Sequence, residues 1–146
     1  FRSEDFARYH PGGKLGKRLL LKVSDVMIPR HQCPVLAVES SSIEDTIFYL
    51  SKFGLGIVLF GEGSQLGGIL TDGDIRRLLQ THKARIFDLD LKTVINRTPI
   101  TISQGHMAVE ALRFMEEQAK PLNVVPVVHE GELVGVLRLH ELLSVS

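Results

Sequence analysis

Two kinds of apolar run alternate along the chain, and together they predict its elements. Ile43, Ile47, Leu50 and Phe53 recur at helical intervals, so they predict one helix with a single buried stripe. Ser40-Ser41-Ser42 precedes that stripe and supplies N-caps, with Ser41/Glu44 and Ser42/Asp45 both at capping-box spacing. Ile57–Phe60 is apolar without interruption, which predicts a strand buried on both faces. Gly61-Glu62-Gly63-Ser64 reads as a turn, and Leu66–Leu70 returns as the second strand of a hairpin. Val35–Val38 is a short strand upstream, and Ile75–Leu79 is a short helix downstream. The predicted order is strand, helix, strand, strand, helix, followed by a polar connector over Gln80–Arg85.

The same order then recurs. Val23–Met27 is echoed by Leu91–Ile95, and Pro34–Val38 by Pro99–Ile102. Gly68-Ile69-Leu70 corresponds to Gly135-Val136-Leu137, and Asp74-Ile75 to Glu141-Leu142. In this second copy Ile100–Ile102 is the strand, and Ala108, Ala111, Leu112, Met115 and Ala119 mark the helix. Pro121 ends that helix or bends the chain. Val124–Val128 and Leu133–Leu137 form the hairpin around His129–Glu132, and Glu141 starts the last helix. The copies differ by small insertions, the clearest around Ala119–Asn123. A repeat of this size is a small α/β unit that needs its partner to cover its sheet. The helix faces Ile75/Leu78/Leu79 and Leu142/Leu143 exceed what one module can cover, so a homo-oligomer is expected.

Composition narrows the function classes. At 146 residues and 44% hydrophobic, the chain suffices for one compact core or two small ones sharing an interface. Its 17 basic residues balance 17 acidic ones, which gives no pull toward nucleic acid or an anionic membrane. The longest apolar runs are too short to span a bilayer. One cysteine, Cys33, excludes an internal disulfide and fits a reducing compartment. The chain opens at Phe1 with no signal-peptide pattern, and a piece of a larger cytoplasmic protein is expected. The six histidines are scattered, His31/Cys33 is the one close histidine–cysteine pair and too little for structural zinc, and Cys33 has no evident catalytic partner. Gly12–Lys17 is too short for a P-loop, and Arg18 stands where Ser or Thr would hold magnesium. Asp88 and Asp90 read as solvated turn acids. Neither metal nor cofactor is expected.

The candidate chemistry lies at the strand–helix junction Thr71-Asp72-Gly73-Asp74. Thr71 stands as N-cap and Asp74 as its capping-box acid. Such a junction also aims free N–H groups and a positive dipole end at whatever lies beyond the sheet, which suits a phosphate, while the two carboxylates suit sugar hydroxyls. A helix start alone and a sugar-phosphate or nucleotide site are both open readings. In the second copy Arg138 replaces the threonine and Glu141 the aspartate.

Two repeats, each with an apolar hairpin, a Gly-Ile/Val-Leu strand end and an acidic residue opening the last helix, resemble a pair of cystathionine-β-synthase (CBS) domains. The segment Phe6-Ala7-Arg8-Tyr9-His10-Pro11-Gly12-Gly13-Lys14-Leu15-Gly16, with Thr71-Asp72-Gly73-Asp74-Ile75-Arg76-Arg77, is similar to the D-arabinose 5-phosphate isomerases. Those enzymes join a sugar-isomerase (SIS) domain to a C-terminal CBS pair. The resemblance implies an α/β fold of tandem CBS domains, two β-α-β-β-α repeats related by pseudo-two-fold symmetry. It divides the chain into residues 1–22, the end of the SIS domain and a linker; 23–80, the first CBS domain; and 87–146, the second. It implies a parent enzyme that interconverts ribulose 5-phosphate and arabinose 5-phosphate toward Kdo for lipopolysaccharide or capsule, with His10 as a catalytic candidate. This chain by itself is expected to be inactive. A nucleotide or nucleotide sugar, CMP-Kdo or an AMP-like molecule, is the implied ligand. Thr71 would meet its phosphate, Asp74 its ribose, the Asp72-Gly73 backbone would line the approach, and Arg138 would reach a phosphate. A structural oligomerisation module without ligand, and an adenine-nucleotide sensor, are the alternatives.

Overall fold

The computed structural model describes residues 20–144, so His10 and its Pro-Gly-Gly neighbourhood lie outside the described residues. The first repeat runs through a helical turn α1 (Val23–Val26), β1 (Ile28–Pro29), β2 (Val35–Leu36), α2 (Ile43–Phe53), β3 (Ile57–Glu62), β4 (Gln65–Thr71) and α3 (Asp72–His82). The second runs through a helical turn α4 (Leu91–Val94), β5 (Ile102–Ser103), α5 (Ala108–Glu116), β6 (Val124–His129), β7 (Glu132–Arg138) and α6 (Leu139–Ser144).

Local chemistry accounts for the element ends. Of the two serine boxes, Ser42/Asp45 forms: the Asp45 N–H donates to Ser42 Oγ at 3.1 Å and the Ser42 N–H to Asp45 Oδ2 at 3.0 Å. Gly54 ends α2 in the left-handed conformation (φ 65°), which its lack of a Cβ permits. The second hairpin turns through Glu130 and Gly131, both at positive φ, as a tight two-residue turn matched to strand twist demands. Both hairpins carry a register shift at the same place, between Phe60 and Gly61 and between Val127 and Val128. That shared irregularity marks the repeat as closely as the sequence does.

Some boundaries differ from expectation. The polar connector is not a loop: α3 continues to His82 and a 3-10 segment follows over Lys83–Asp88, fastened by the fully buried Ile86. Asp90 is no mere turn acid, since it caps α4 by accepting from the Lys92 N–H at 3.1 Å. Strand Ile102–Ser103 begins later than predicted, and α5 stops at Glu116, short of Ala119.

The sheet order is β2-β3-β4-β7-β6-β5, with β1 pairing beside β7. β2 and β3 are parallel across α2, β5 and β6 are parallel across α5, and the hairpins are antiparallel. The uninterrupted apolar strands are explained by two coverings. Val58, Phe60 and Leu70 face the helices of their own repeat, whereas Ile57, Leu59 and Ile69 meet Leu133 and Val136 of the second repeat. Each fully buried side chain of this kind contributes about 1.5–3 kcal/mol, so the shared face is a core and not a mere contact.

The repeats also exchange segments. Val23 lies in the core of the second repeat with Ala108, Met115 and Leu142, while Leu91 and Ile95 lie in the core of the first with Ile43 and Phe60. The backbone follows suit: Ile28 pairs with Val136, and Asn96 pairs with Ile69 through two N–H···O bonds of 2.9 and 3.0 Å. Gly68 and Gly135, equivalent in the repeat, sit where these crossing segments approach. A Cβ on Gly68 would stand 3.0 Å from the Asn96 carbonyl oxygen, and one on Gly135 would run into the Ile28 carbonyl oxygen.

This exchange corrects the expected exposed faces. Ile75 and Leu142 are internal, 7% and 0% exposed, and only Leu79 and Leu143 of those helix faces project strongly. No helix among the described residues is long and apolar enough to cross a membrane.

Candidate functional site

The junction at the end of β4 forms as its residues dictate. Thr71 caps α3: the Asp74 N–H donates to Thr71 Oγ1 at 3.2 Å, and the Thr71 N–H donates to Asp74 Oδ2 at 2.9 Å. Asp74 Oδ1 accepts from Arg77 Nη2 at 2.6 Å. Both Asp74 oxygens are thus engaged, one by the cap and one by an arginine a turn further on. The Asp72 N–H donates to the Gly56 carbonyl at 3.0 Å, which ties the loop before β3 to the start of α3.

The second repeat copies that tie and replaces the cap. The Leu139 N–H donates to the Asn123 carbonyl at 2.8 Å, matching Asp72 and Gly56. Arg138, in the threonine position, donates from Nε and Nη2 to the two oxygens of Glu141, each at 2.7 Å. Its Nη1 donates to the Gly54 carbonyl at 3.2 Å, across to the first repeat. The Glu141 hydrogen bonds raise the Arg138 pKa above the ordinary arginine value, with partial burial opposing them.

These two junctions face one another across a cleft of about 770 Å³, within the size range of small-molecule sites. Its walls come in pairs related by the repeat. Gly54-Leu55-Gly56 is opposite Lys120–Val124, and Thr71-Asp72-Gly73 is opposite Arg138-Leu139-His140. Arg76, Arg77, Lys120 and Arg138 line it, against Asp72 as the lining acid. Arg77 and Arg138 are ion-paired with Asp74 and Glu141, while no ion pair engages Arg76 or Lys120 among the described residues. Such an arrangement suits an anion with an apolar or hydrogen-bonding remainder.

The structure therefore brings Thr71, Asp72, Gly73 and Arg138 to one cleft. Asp74 and Glu141 stand next to it, joined to arginines of its wall, and are not among its lining residues. Sequence reasoning missed Lys120 and the loops at 54–56 and 120–124. The signal for them was weak: each loop merely follows a helix end, and only the fold sets the two opposite.

Cys33 lies elsewhere, 7% exposed, its thiol within 3.3 Å of the Pro29 carbonyl oxygen. Burial pushes its pKa from 9.0 up to about 11, so the reactive thiolate is suppressed. Among the described residues no three His, Cys, Asp or Glu side chains gather as a metal ion would need.

Comparison with known proteins agrees with this fold. Residues 91–146 match the family described as CBS domain. Arabinose 5-phosphate isomerase KdsD of Escherichia coli (strain K12) is 35% identical over 144 residues, 98% of this chain and 43% of the relative. The chain thus spans less than half the length of that enzyme. Among solved structures, CBSX2 in complex with AMP has a TM-score of 0.70 at 22% identity, covering 84% of this chain and 93% of that one. The CBS domain pair of MJ0100, in complex with 5′-methylthioadenosine and S-adenosyl-L-methionine, has a TM-score of 0.67 at 21% identity, covering 82% and 94%. Residues 91–146 thus match the CBS domain by sequence, the described chain has the fold of a CBS pair, and along nearly its whole length the chain is similar to part of the arabinose 5-phosphate isomerases.

Proposed function

We propose that the module binds a nucleotide or nucleotide sugar in the cleft between its repeats and thereby regulates an attached sugar-phosphate isomerase. The observation that carries this reading is the cleft itself, where matched junctions of both repeats present four cations against one lining acid. Thr71 contributes a hydroxyl that can donate to a phosphate while its lone pair keeps the cap, and the Asp72-Gly73 backbone lines the approach. Asp74 would reach a ribose hydroxyl only by sharing the carboxylate that now serves the cap and Arg77. AMP in CBSX2, and 5′-methylthioadenosine and S-adenosyl-L-methionine in MJ0100, support a nucleoside-bearing ligand. CMP-Kdo, the end product expected of the parent pathway, is a chemically sensible feedback signal.

The parent enzyme, on this reading, is an arabinose 5-phosphate isomerase whose SIS domain lies on the same chain. It isomerises ribulose 5-phosphate, with His10 in its catalytic set, and the present module alone turns over no substrate. The relative at 35% identity supports that assignment. The strongly exposed Phe48, Phe87, Leu79 and Leu143 favour an added role in holding a homo-oligomer together. Calorimetric titration of the chain with AMP, ATP, CMP and CMP-Kdo tests the binding reading. Saturable one-site binding of at least one is expected, and absence of binding by all four at millimolar concentration would overturn it.

A further inference from the structure

The two repeats cover their long first helices differently. In the first repeat the 3-10 segment Lys83–Asp88 lies against α2, and its Ile86 is fully buried in one cluster with Ile43 and Leu50 of that helix. In the second repeat an open groove of about 220 Å³ runs beside α5, lined by Thr101, Ile102, Ser103, His106, Glu110 and Phe114. We infer that this groove is the docking site of residues 14–19 of the same chain, a basic and apolar segment, and that it fastens the upstream part of the protein to the second repeat. The inference goes beyond the binding reading and does not depend on it.

The repeat sets the correspondence. Leu36 pairs with Phe60 and Ile102 with Val127, each beside the shared register shift, while α2 and α5 begin at Ile43 and Ala108. Leu36 and Tyr49 thus answer to Ile102 and Phe114. Tyr49 is half-buried against the cluster that holds Ile86, whereas Phe114 is 38% exposed. The segments that lead into the crossing helices correspond too. Leu89 and Leu21 each stand two residues before such a helix, and each packs against the core that its helix enters. Upstream of them Arg85-Ile86-Phe87 answers to Arg18-Leu19-Leu20, the latter one residue nearer its helix, with Phe87 and Leu20 both strongly exposed. Leu19 is therefore the residue that matches the buried Ile86.

The place of entry and the charges point the same way. The Ala108 N–H donates to the Leu21 carbonyl at 2.7 Å, and the Val23 N–H donates to the His106 carbonyl at 2.8 Å. The upstream chain thus departs beside the first turn of α5, where His106 lines the groove. Six residues reach at most about 20 Å, enough to follow a helix of nine residues, which is about 14 Å long. Residues 14–19 hold three cations, Lys14, Lys17 and Arg18, and no acid. Glu110, Phe114 and Glu117 recur at helical spacing with Glu116 alongside, an acidic edge beside an apolar groove. No ion pair engages Glu116 or Glu117 among the described residues.

The probe is a nitroxide on Lys17→Cys in the full chain, with Cys33→Ala removing the other thiol. No nucleotide is present, so the outcome is separate from the cleft reading. Loss of amide signals at 101–106 and 110–114 is expected, with those of α2 retained. Phe114→Ser, at an exposed position, is expected to restore the lost signals, and Leu19→Ser to restore them from the other side of the contact. Thermal melts verify that both variants are folded. A second sample mixes isotope-enriched chain that carries no nitroxide with nitroxide-bearing chain at natural abundance, and its signals are expected to be retained. Signals kept at 101–106 and 110–114 in the first sample, loss spread evenly over α2 and α5, or recovery with neither Phe114→Ser nor Leu19→Ser would overturn the inference. Loss in the mixed sample would overturn it as well, since a second copy would then occupy the groove.

Discussion

Replacing Gly135 with alanine probes the joint between the repeats with a single methyl group. The added Cβ would collide with the Ile28 carbonyl oxygen and stand 3.1 Å from Met27 Sδ. The methionine end can swing away, but the carbonyl belongs to backbone that pairs across the joint, with Ile28 opposite Val136. Two terms oppose. Alanine reduces the freedom of the unfolded chain, which stabilises by about 0.4–1 kcal/mol where the native backbone tolerates it. Overpacking that forces a backbone shift costs about 1–3 kcal/mol. The clash is with backbone, so the second term wins and a net loss of about 1–2 kcal/mol is expected. At roughly 4 °C per kcal/mol for a chain of this size, the melting temperature falls by about 4–8 °C. Gly68→Ala meets the Asn96 carbonyl oxygen at 3.0 Å and the movable Ile95 Cδ1 at 3.2 Å, so a smaller loss follows. Gly105→Ala is the control, because its nearest atom is Ser103 Oγ at 3.9 Å and no positive φ stands in the way. Urea denaturation of the three variants yields the order. A Gly135→Ala chain as stable as the Gly105→Ala chain would refute the close-approach account.

The exchanged segments predict that Leu91→Ala, 3% exposed and packed in the first repeat's core, costs about 2–5 kcal/mol. Unfolding should remain a single transition by fluorescence and far-ultraviolet dichroism alike, and separate melting of the two repeats would contradict the exchange. Native Cys33 should react with a thiol reagent at pH 8 roughly a hundred-fold more slowly than in urea, because its thiolate is suppressed. The same raised pKa sets a sign. The stability it confers is complete below 9.0, the free thiol's value, and is lost as pH rises toward about 11, and Cys33→Ala should remove that component of the slope.

Much of the fold was legible because its signals are local. The Ser42/Asp45 and Thr71/Asp74 boxes, the stripe Ile43–Phe53 and the apolar hairpin strands each follow from neighbouring residues, and each formed. The glycines at 68 and 135 were visible as repeat partners, but their reason was not, since it lies in a backbone contact from a distant segment. Segment exchange escaped the pattern for the same cause: Val23 and Leu91 read as apolar starts of their own repeats, and only packing shows which core they enter. At the site, Thr71 and Arg138 were recognisable as equivalent positions. Their meeting across a cleft, the contribution of Lys120, and the engagement of Asp74 and Glu141 by arginines depend on side-chain directions that spacing does not encode.

A ligand seated in the inter-repeat cleft should register in both repeats at once, which hydrogen exchange of the full chain reads. Amide exchange is compared with and without a saturating amount of the tightest-binding nucleotide among AMP, ATP, CMP and CMP-Kdo. A ligand in the cleft slows exchange at 54–56, 71–73, 76–77, 120–124 and 138–140, the segments of both repeats that line it. Protection confined to one repeat, or centred on the separate hollow between Pro29 and Val35, would contradict it.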